Sequence, residues 1–143
     1  MTDKKVISDL CQKAIDMRSE SYAPYSDFLV GSAVLLGDGS VYTGCNIENS
    51  AFGPSICAER TAIFKAVSEG IKDFEAIAVA GGPEDSNGRP VLDDFCPPCG
   101  ICRQVLREFA PELRVLVIDS QGHTDSKTLK ELLPESFGPS DLL

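Results

Sequence analysis

The spacing of apolar and polar residues changes period several times along this chain, and each change marks an element. From about Lys4 to Ser19, Val6, Leu10, Ala14 and Met17 recur at helical spacing with Asp9, Lys13 and Arg18 between them, which predicts an amphipathic helix. Ser21-Tyr22-Ala23-Pro24-Tyr25-Ser26 breaks that period, and Phe28 to Leu36 reads as a largely buried strand. Gly37-Asp38-Gly39-Ser40 has the chemistry of a hairpin turn, so Val41 to Cys45 is expected to return antiparallel to the first strand. A second helix is predicted from about Cys57 to Glu69, with Ala62, Ile63, Ala66 and Val67 as its apolar stripe and Gly70 as its terminator. Phe74 to Ala80 is nearly continuous in Ala, Ile and Val, as a central strand buried on both faces would be.

A long polar loop follows from Gly81 to Asp94, and Pro97-Pro98-Cys99-Gly100 then opens a third helix running to about Phe109. Arg114 to Ile118 reads as a fourth buried strand, a short edge strand is expected near Thr124, and Ser126 to Leu133 reads as a short helix. This alternation predicts an α/β fold, a three-layer α/β/α arrangement with a mixed sheet of about five strands. The polar run Asn46-Ile47-Glu48-Asn49-Ser50 stands directly at a strand end, the kind of sheet edge where ligands bind.

Length and charge narrow the picture. A chain of 143 residues is most economically one domain, 1–143, long enough to bury roughly two thirds of its unfolded surface. With 13 Lys and Arg against 22 Asp and Glu, the net charge of −9 repels phosphate backbones, which disfavours a nucleic-acid partner. Met1-Thr2-Asp3-Lys4-Lys5 leads into a helical pattern rather than an apolar signal core, and no apolar run approaches a membrane span. The expected location is the cytoplasm, with the nucleus as an additional compartment.

Six cysteines at 11, 45, 57, 96, 99 and 102 then take on meaning, because a reducing compartment favours metal or redox chemistry over disulfides. Cys57-Ala58-Glu59-Arg60 is answered by Cys96-Pro97-Pro98-Cys99-Gly100-Ile101-Cys102-Arg103. Inside a helix, residues two apart point to nearly opposite sides, so Cys57 and Glu59 serve one site only if the helix begins at Cys57. Pro54-Ser55 and Pro98 make helix starts at Cys57 and Cys99 consistent with the sequence.

Two helix amino termini, with Arg60 and Arg103 beside them, would offset the negative charge of thiolates on zinc. Three thiolate ligands leave a fourth position for water, with Glu59 as its base, and predict hydrolysis at an electrophilic carbon. Two other readings stand beside this one. Cys96 or Cys45 as a fourth ligand would close a structural zinc site, and the Cys-x-x-Cys spacing also occurs in redox proteins.

The chain closely resembles the small, homotetrameric type of cytidine deaminase. The resemblance covers nearly the whole length, through Tyr22-Ala23-Pro24-Tyr25-Ser26 with Phe28 and Val30-Gly31, Gly44-Cys45-Asn46-Ile47-Glu48-Asn49, Cys57-Ala58-Glu59-Arg60-Thr61-Ala62, Pro98-Cys99-Gly100-Ile101-Cys102-Arg103-Gln104, and Leu132-Leu133-Pro134 with Phe137-Gly138-Pro139. It implies the cytidine deaminase-like fold, and zinc (Zn2+) held by Cys57, Cys99 and Cys102 with Cys96 outside the set. It implies Glu59 as the catalytic proton shuttle between water, N3 and the departing ammonia at C4 of the pyrimidine. It further implies that Phe28 stacks near the base and that Asn46 and Glu48 bind the ribose hydroxyls, while the place of Arg60 directly after Cys57-Ala58-Glu59 suits it to charge compensation.

Phe137 matches a tail aromatic that covers a neighbouring subunit's pocket. The implied activity is hydrolytic deamination of cytidine and 2′-deoxycytidine to the uridines in pyrimidine salvage, by a homotetramer. Modified cytosine nucleosides or cytidine in RNA are the alternatives within the same fold, and acidity weighs against RNA. Phe52 stands where many relatives have tyrosine, and Asp27 and Leu29 depart from the common pattern around Phe28. His123 is expected in an exposed turn, and Cys11 and Cys45 as small core residues.

Overall fold

A computed structural model describes residues 3–143, and Met1 and Thr2, the start of the polar amino end, lie outside the described residues. Helix α1 spans Lys4–Met17, and its N-cap Asp3 accepts a hydrogen bond from the Val6 amide at 2.9 Å. Strands β1 (Phe28–Leu36) and β2 (Val41–Cys45) form the expected hairpin, with Gly39 at φ 90° supplying the left-handed residue of its turn. Then follow α2 (Ala58–Ser68), β3 (Phe74–Pro83), α3 (Gly100–Phe109), β4 (Arg114–Ile118), β5 (Thr124–Thr128) and α4 (Leu129–Leu132).

The five strands form one mixed sheet in the order β2-β1-β3-β4-β5. β1 is antiparallel to β2 and β3, β3 and β4 are parallel, and β5 is antiparallel to β4. Alternation along the strands fills a separate core on each face. Ala33 and Leu35 of β1, with Ala76, Ala78 and Ala80 of β3, pack beneath Leu10 and Ala14 of α1. Val34, Leu36 and Ile77 point the other way, into a core with Ala62, Ile63, Leu106, Leu113 and Leu129. The expected three layers are therefore present.

Three boundaries differ from the pattern-based expectation. β3 runs three residues past Ala80, because the start of β1 continues to pair with it, Phe28 opposite Pro83 and Val30 opposite Gly81. The short helix expected over 126–133 shrinks to Leu129–Leu132, because Ser126, Lys127 and Thr128 pair with β4. Thr128 then caps the helix reciprocally with Glu131. The first helix ends at Met17 and tightens into a 3-10 turn over Arg18–Glu20.

The start of β1 and the ends of β2 and β3 lie at one edge of the sheet, since Phe28 pairs with Pro83 and Gly31 with Cys45. The amino end of α2 is pressed against that edge. Thr61 Oγ1 donates to the Cys45 carbonyl at 3.0 Å, and a Cβ on Gly44 would fall 2.5 Å from both Ala58 O and Ala62 N. Glycine at 44 thus sets how closely the helix approaches. Gly44→Ala is expected to lower stability by about 1–3 kcal/mol through overpacking, read as a lower urea midpoint with an unchanged m-value.

Candidate active site

Cys57 and Cys99 each occupy the N-cap position of a helix. Cys57 has extended backbone angles (φ −76°, ψ 155°) immediately before Ala58, and its carbonyl accepts the Thr61 amide at 3.1 Å. Cys99 is extended likewise, its carbonyl accepts the Arg103 amide at 2.9 Å, and its sulfur accepts from the Cys102 amide at 3.5 Å. The condition for Cys57 and Glu59 to share a site is met, because the helix begins between them. Cys102, one turn into α3, is fully buried.

The sulfurs of Cys57, Cys99 and Cys102 all lie within 4.8 Å of one another, and Cys57 Sγ stands 3.8 Å from Cys99 Sγ. A tetrahedral zinc–thiolate site with Zn–S near 2.3 Å has sulfur–sulfur edges of about 3.8 Å. The donor set therefore fits zinc, with three thiols and no fourth in the cluster among the described residues. Cys96 is not in the trio, and the buried Cys45 donates its thiol to the Glu20 carbonyl at 3.4 Å. Neither closes a four-sulfur structural site.

Electrostatics favour the thiolate of Cys57. The hydrogen bond from Cys102, with a further contribution from Arg60, holds the Cys57 thiol down to about 5, while Cys102, facing Cys57 and buried, is pushed up. Arg60 Nη2 donates to Cys57 Sγ at 3.5 Å. Arg103 departs from the expectation of a second compensating charge. Its Nε donates to the Pro98 carbonyl at 2.8 Å and its Nη1 to the Leu132 carbonyl at 2.7 Å. Direct bonds to neutral carbonyls hold it between the start of α3 and the end of α4, so it braces the two elements instead.

Glu59 is only 4 % exposed. Burial, reinforced by the charge on Cys57, pushes its carboxyl up to about 7. A carboxyl in that range gives and takes protons near neutrality. Cys96 lies in the same cavity, where burial and then the charges of Glu59 and Cys57 push its thiol up to about 11.

The cavity in front of the trio has a volume of about 680 Å³ and is lined by Phe28, Val30, Asn46, Glu48, Phe52, Ser55, Ile56, Cys57, Glu59, Arg60, Cys96, Pro97, Cys99 and Ile101, among others. Of the residues singled out from the sequence, the fold gathers Phe28, Asn46, Glu48, Cys57, Glu59, Arg60 and Cys99 on this wall, with Cys102 beneath. Phe137 is not among the lining residues. It is 58 % exposed on the carboxy-terminal tail, and its carbonyl accepts from Gln104 Nε2 at 2.9 Å.

Asn46 and Glu48 also brace the β1 side of the cavity. Asn46 Oδ1 accepts from Val30 N at 3.0 Å and Nδ2 donates to Phe28 O at 2.8 Å, so its amide stands in for a strand partner. Glu48 accepts from Tyr25 N at 3.0 Å, Ser26 N at 3.2 Å and Ser26 Oγ at 2.5 Å. The Ser26 hydroxyl in turn accepts from Phe28 N at 3.1 Å. These donors, Ser26 first, keep Glu48 below its ordinary carboxylate range and hence charged.

Ser26 was noted in the sequence only within a breaker segment and the motif carrying the family resemblance, with no role of its own. Arg18 was misread as part of the polar face of α1, yet it is buried and donates to Val91 O at 2.7 Å, holding the loop that leads to Cys96. Only the small Gly31 opposite it, whose Cβ would fall 3.1 Å from Arg18 Cγ, hinted that the helix end packs tightly. Asp27, flagged for its departure from the common pattern, adopts a left-handed φ of 57° that aspartate tolerates better than most residues. His123 is in an exposed turn beside Asp119, and Cys11 and Cys45 are buried, as expected.

A mixed sheet with two helix amino termini presenting three thiols and a carboxylate defines the class of zinc-dependent deaminases. The sequence profile of the cytidine and deoxycytidylate deaminase zinc-binding region matches residues 4–118, and the chain belongs to that family. It is 47% identical over 134 residues to a cytidine deaminase of Halalkalibacterium halodurans, covering 93% of this chain and 95% of that one. It is 42% identical to a probable cytidine deaminase of Dictyostelium discoideum, over 92% of this chain and 86% of that one. The solved cytidine deaminase of Burkholderia pseudomallei superimposes with a TM-score of 0.80 at 40% identity, covering 96% of this chain and all of the other. That of Mycobacterium tuberculosis does so at 0.74 and 35%, over 93% and 98%.

Metal analysis is expected to find one zinc per chain, and X-ray absorption three sulfurs and one lighter atom around it. Loss of bound zinc is expected in Cys57→Ala, Cys99→Ala and Cys102→Ala alike. A four-sulfur shell would instead return the site to a structural role.

Proposed function

We infer that the chain catalyses hydrolytic deamination of cytidine and 2′-deoxycytidine to uridine and 2′-deoxyuridine, releasing ammonia, within one catalytic domain spanning 1–143. The observation that carries this reading is the buried Glu59 beside the thiol trio on one wall of a nucleoside-sized cavity. Cys57, Cys99 and Cys102 would hold zinc, which would supply Lewis acidity to a water near neutral pH. Glu59 takes a proton from the attacking water and places it on N3 of the pyrimidine. It then takes a second proton from the new C4 hydroxyl and delivers it to the amino group, which leaves as ammonia while the C4 carbonyl forms. Its raised proton affinity suits a group that carries protons in both directions.

Arg60 offsets thiolate charge by donating to Cys57. Phe28 packs on the base, and its backbone is held by Asn46 and Ser26. Asn46 and Glu48 meet the ribose hydroxyls. The Glu48 carboxylate accepts from hydroxyls and repels phosphate, which favours free nucleosides over nucleotides. Nucleosides of this kind come from nucleic-acid turnover, consistent with pyrimidine salvage.

A homotetramer is supported by large apolar side chains left exposed on a single chain, among them Phe52 at 73 %, Ile101 at 63 % and Phe137 at 58 %. Phe52 and Ile101 rim the cavity, so subunit contact there would close it, with Phe137 of one copy reaching the pocket of another. Cytoplasmic placement suits thiol ligands that need a reducing compartment. No helix among the described residues is long and apolar enough to cross a membrane. The nuclear location finds no support.

The falling absorbance of cytidine in the presence of zinc-replete protein is the direct test, and no turnover would overturn the assignment. A chelator is expected to abolish turnover and added zinc to restore it. Glu59→Gln is expected to keep its zinc while kcat drops by about 10²–10⁴, and full activity in this variant would remove Glu59 from the proton path. Sedimentation equilibrium is expected to give four times the chain mass, with Phe137→Ala raising KM more than it lowers kcat.

A further inference from the structure

Cys96 stands in the cavity but outside the thiol trio. Its position follows from the extension of β3. Past Ala80 the strand continues through Gly81 and Gly82, and the loop beyond folds back on it, with Val91 N donating to Pro83 O at 2.9 Å and Asp93 N to Gly81 O at 3.1 Å. A Cβ on Gly82 would fall 2.0 Å from Val91 O. One on Gly81 would fall 2.8 Å from Cys96 Sγ and 2.9 Å from Phe28 Cε2. The thiol and the ring edge thus both occupy the space over a strand position that has no side chain, and both line the cavity.

We propose that Cys96 is a specificity-determining residue of this cavity: its thiol, seated with Phe28 over Gly81, is the wall that limits the size of the pyrimidine ring accepted. The proposal rests on the reading of the cavity as a cytidine site. A neutral thiol is a small, polarizable surface suited to the face or edge of a heterocycle. Its neighbours cannot close in behind it if it is shortened, because Phe28 is held through its backbone by Asn46 and Ser26, and the loop by Gly81 and Arg18. Shortening the side chain therefore leaves space at the base instead of a collapsed core. A residue that merely fills the core would alter stability and leave substrate preference unchanged.

The test uses cytidine and cytidines methylated at C5 or C6, the two ring carbons that carry hydrogen, with zinc content, kcat and KM measured for the wild type, Cys96→Ala and Cys96→Ser. Cys96→Ala is expected to keep its zinc and to raise KM for cytidine several-fold. It is expected to narrow the preference for cytidine over at least one methylated analogue by about tenfold or more, the size of a one-methyl discrimination. Cys96→Ser, close in size, is expected to keep the wild-type preference while KM rises, because its hydroxyl is a poorer apolar wall. Loss of zinc in Cys96→Ala, or unchanged preference against both analogues in an active enzyme, overturns the role of Cys96 alone. A wild type inert toward cytidine overturns the cytidine reading, and this proposal with it.

Discussion

The structure depends on one constraint: two helices must begin at the same place in space, each with a cysteine as its first capping residue. An N-cap is extended while the residues after it are helical, so its side chain and that of the second helical residue both point forward from the helix end. Cys57 and Glu59 occupy those two positions. Cys99 and Cys102 use the alternative of one full turn, with Cys99 as cap and Cys102 behind it. The partial positive charge of both helix ends falls on the thiols, and Arg60 adds a formal one.

Holding two helix ends together is the work of the sheet edge. Gly44 lets α2 lie against β2, Thr61 bonds back to Cys45, and Ile47 and Ile56 exchange backbone hydrogen bonds at 3.0 and 2.9 Å, which fixes the turn leading into Cys57. On the other side, Arg103 ties the start of α3 to the end of α4. The same economy governs the substrate side. Asn46 and Glu48, adjacent to the end of β2, hold the beginning of β1 through Val30, Phe28 and Ser26, so groups facing the cavity also set its shape.

A single chain leaves the cavity partly unroofed. Phe52 and Ile101 at its rim are largely exposed, and the tail aromatic Phe137, also exposed, does not line its own chain's cavity, its backbone being tied to α3 by Gln104. Glu59 itself is buried within the single chain, so its raised proton affinity comes from the chain's own fold.

Local periodicity sufficed for most of the fold. The first, second and fourth strands run between the residues expected from apolar pattern and turn chemistry, and both catalytic helices begin at the expected cysteines. Spacing placed Cys57 and Glu59 together at one helix start, whereas the choice of Cys57, Cys99 and Cys102 over Cys96 and Cys45 came from the family resemblance. The sequence could not fix what depends on distant pairing. The extension of β3 follows from the start of β1 pairing with it, and the shortened α4 follows from β5 pairing with β4. Spacing alone gave no reason to bury Arg18, to turn Arg103 from thiolates to carbonyls, or to seat Cys96 with Phe28 over Gly81. Each of these is settled by which segments meet across the sheet edge, and that is a property of the tertiary structure rather than of any local run of residues.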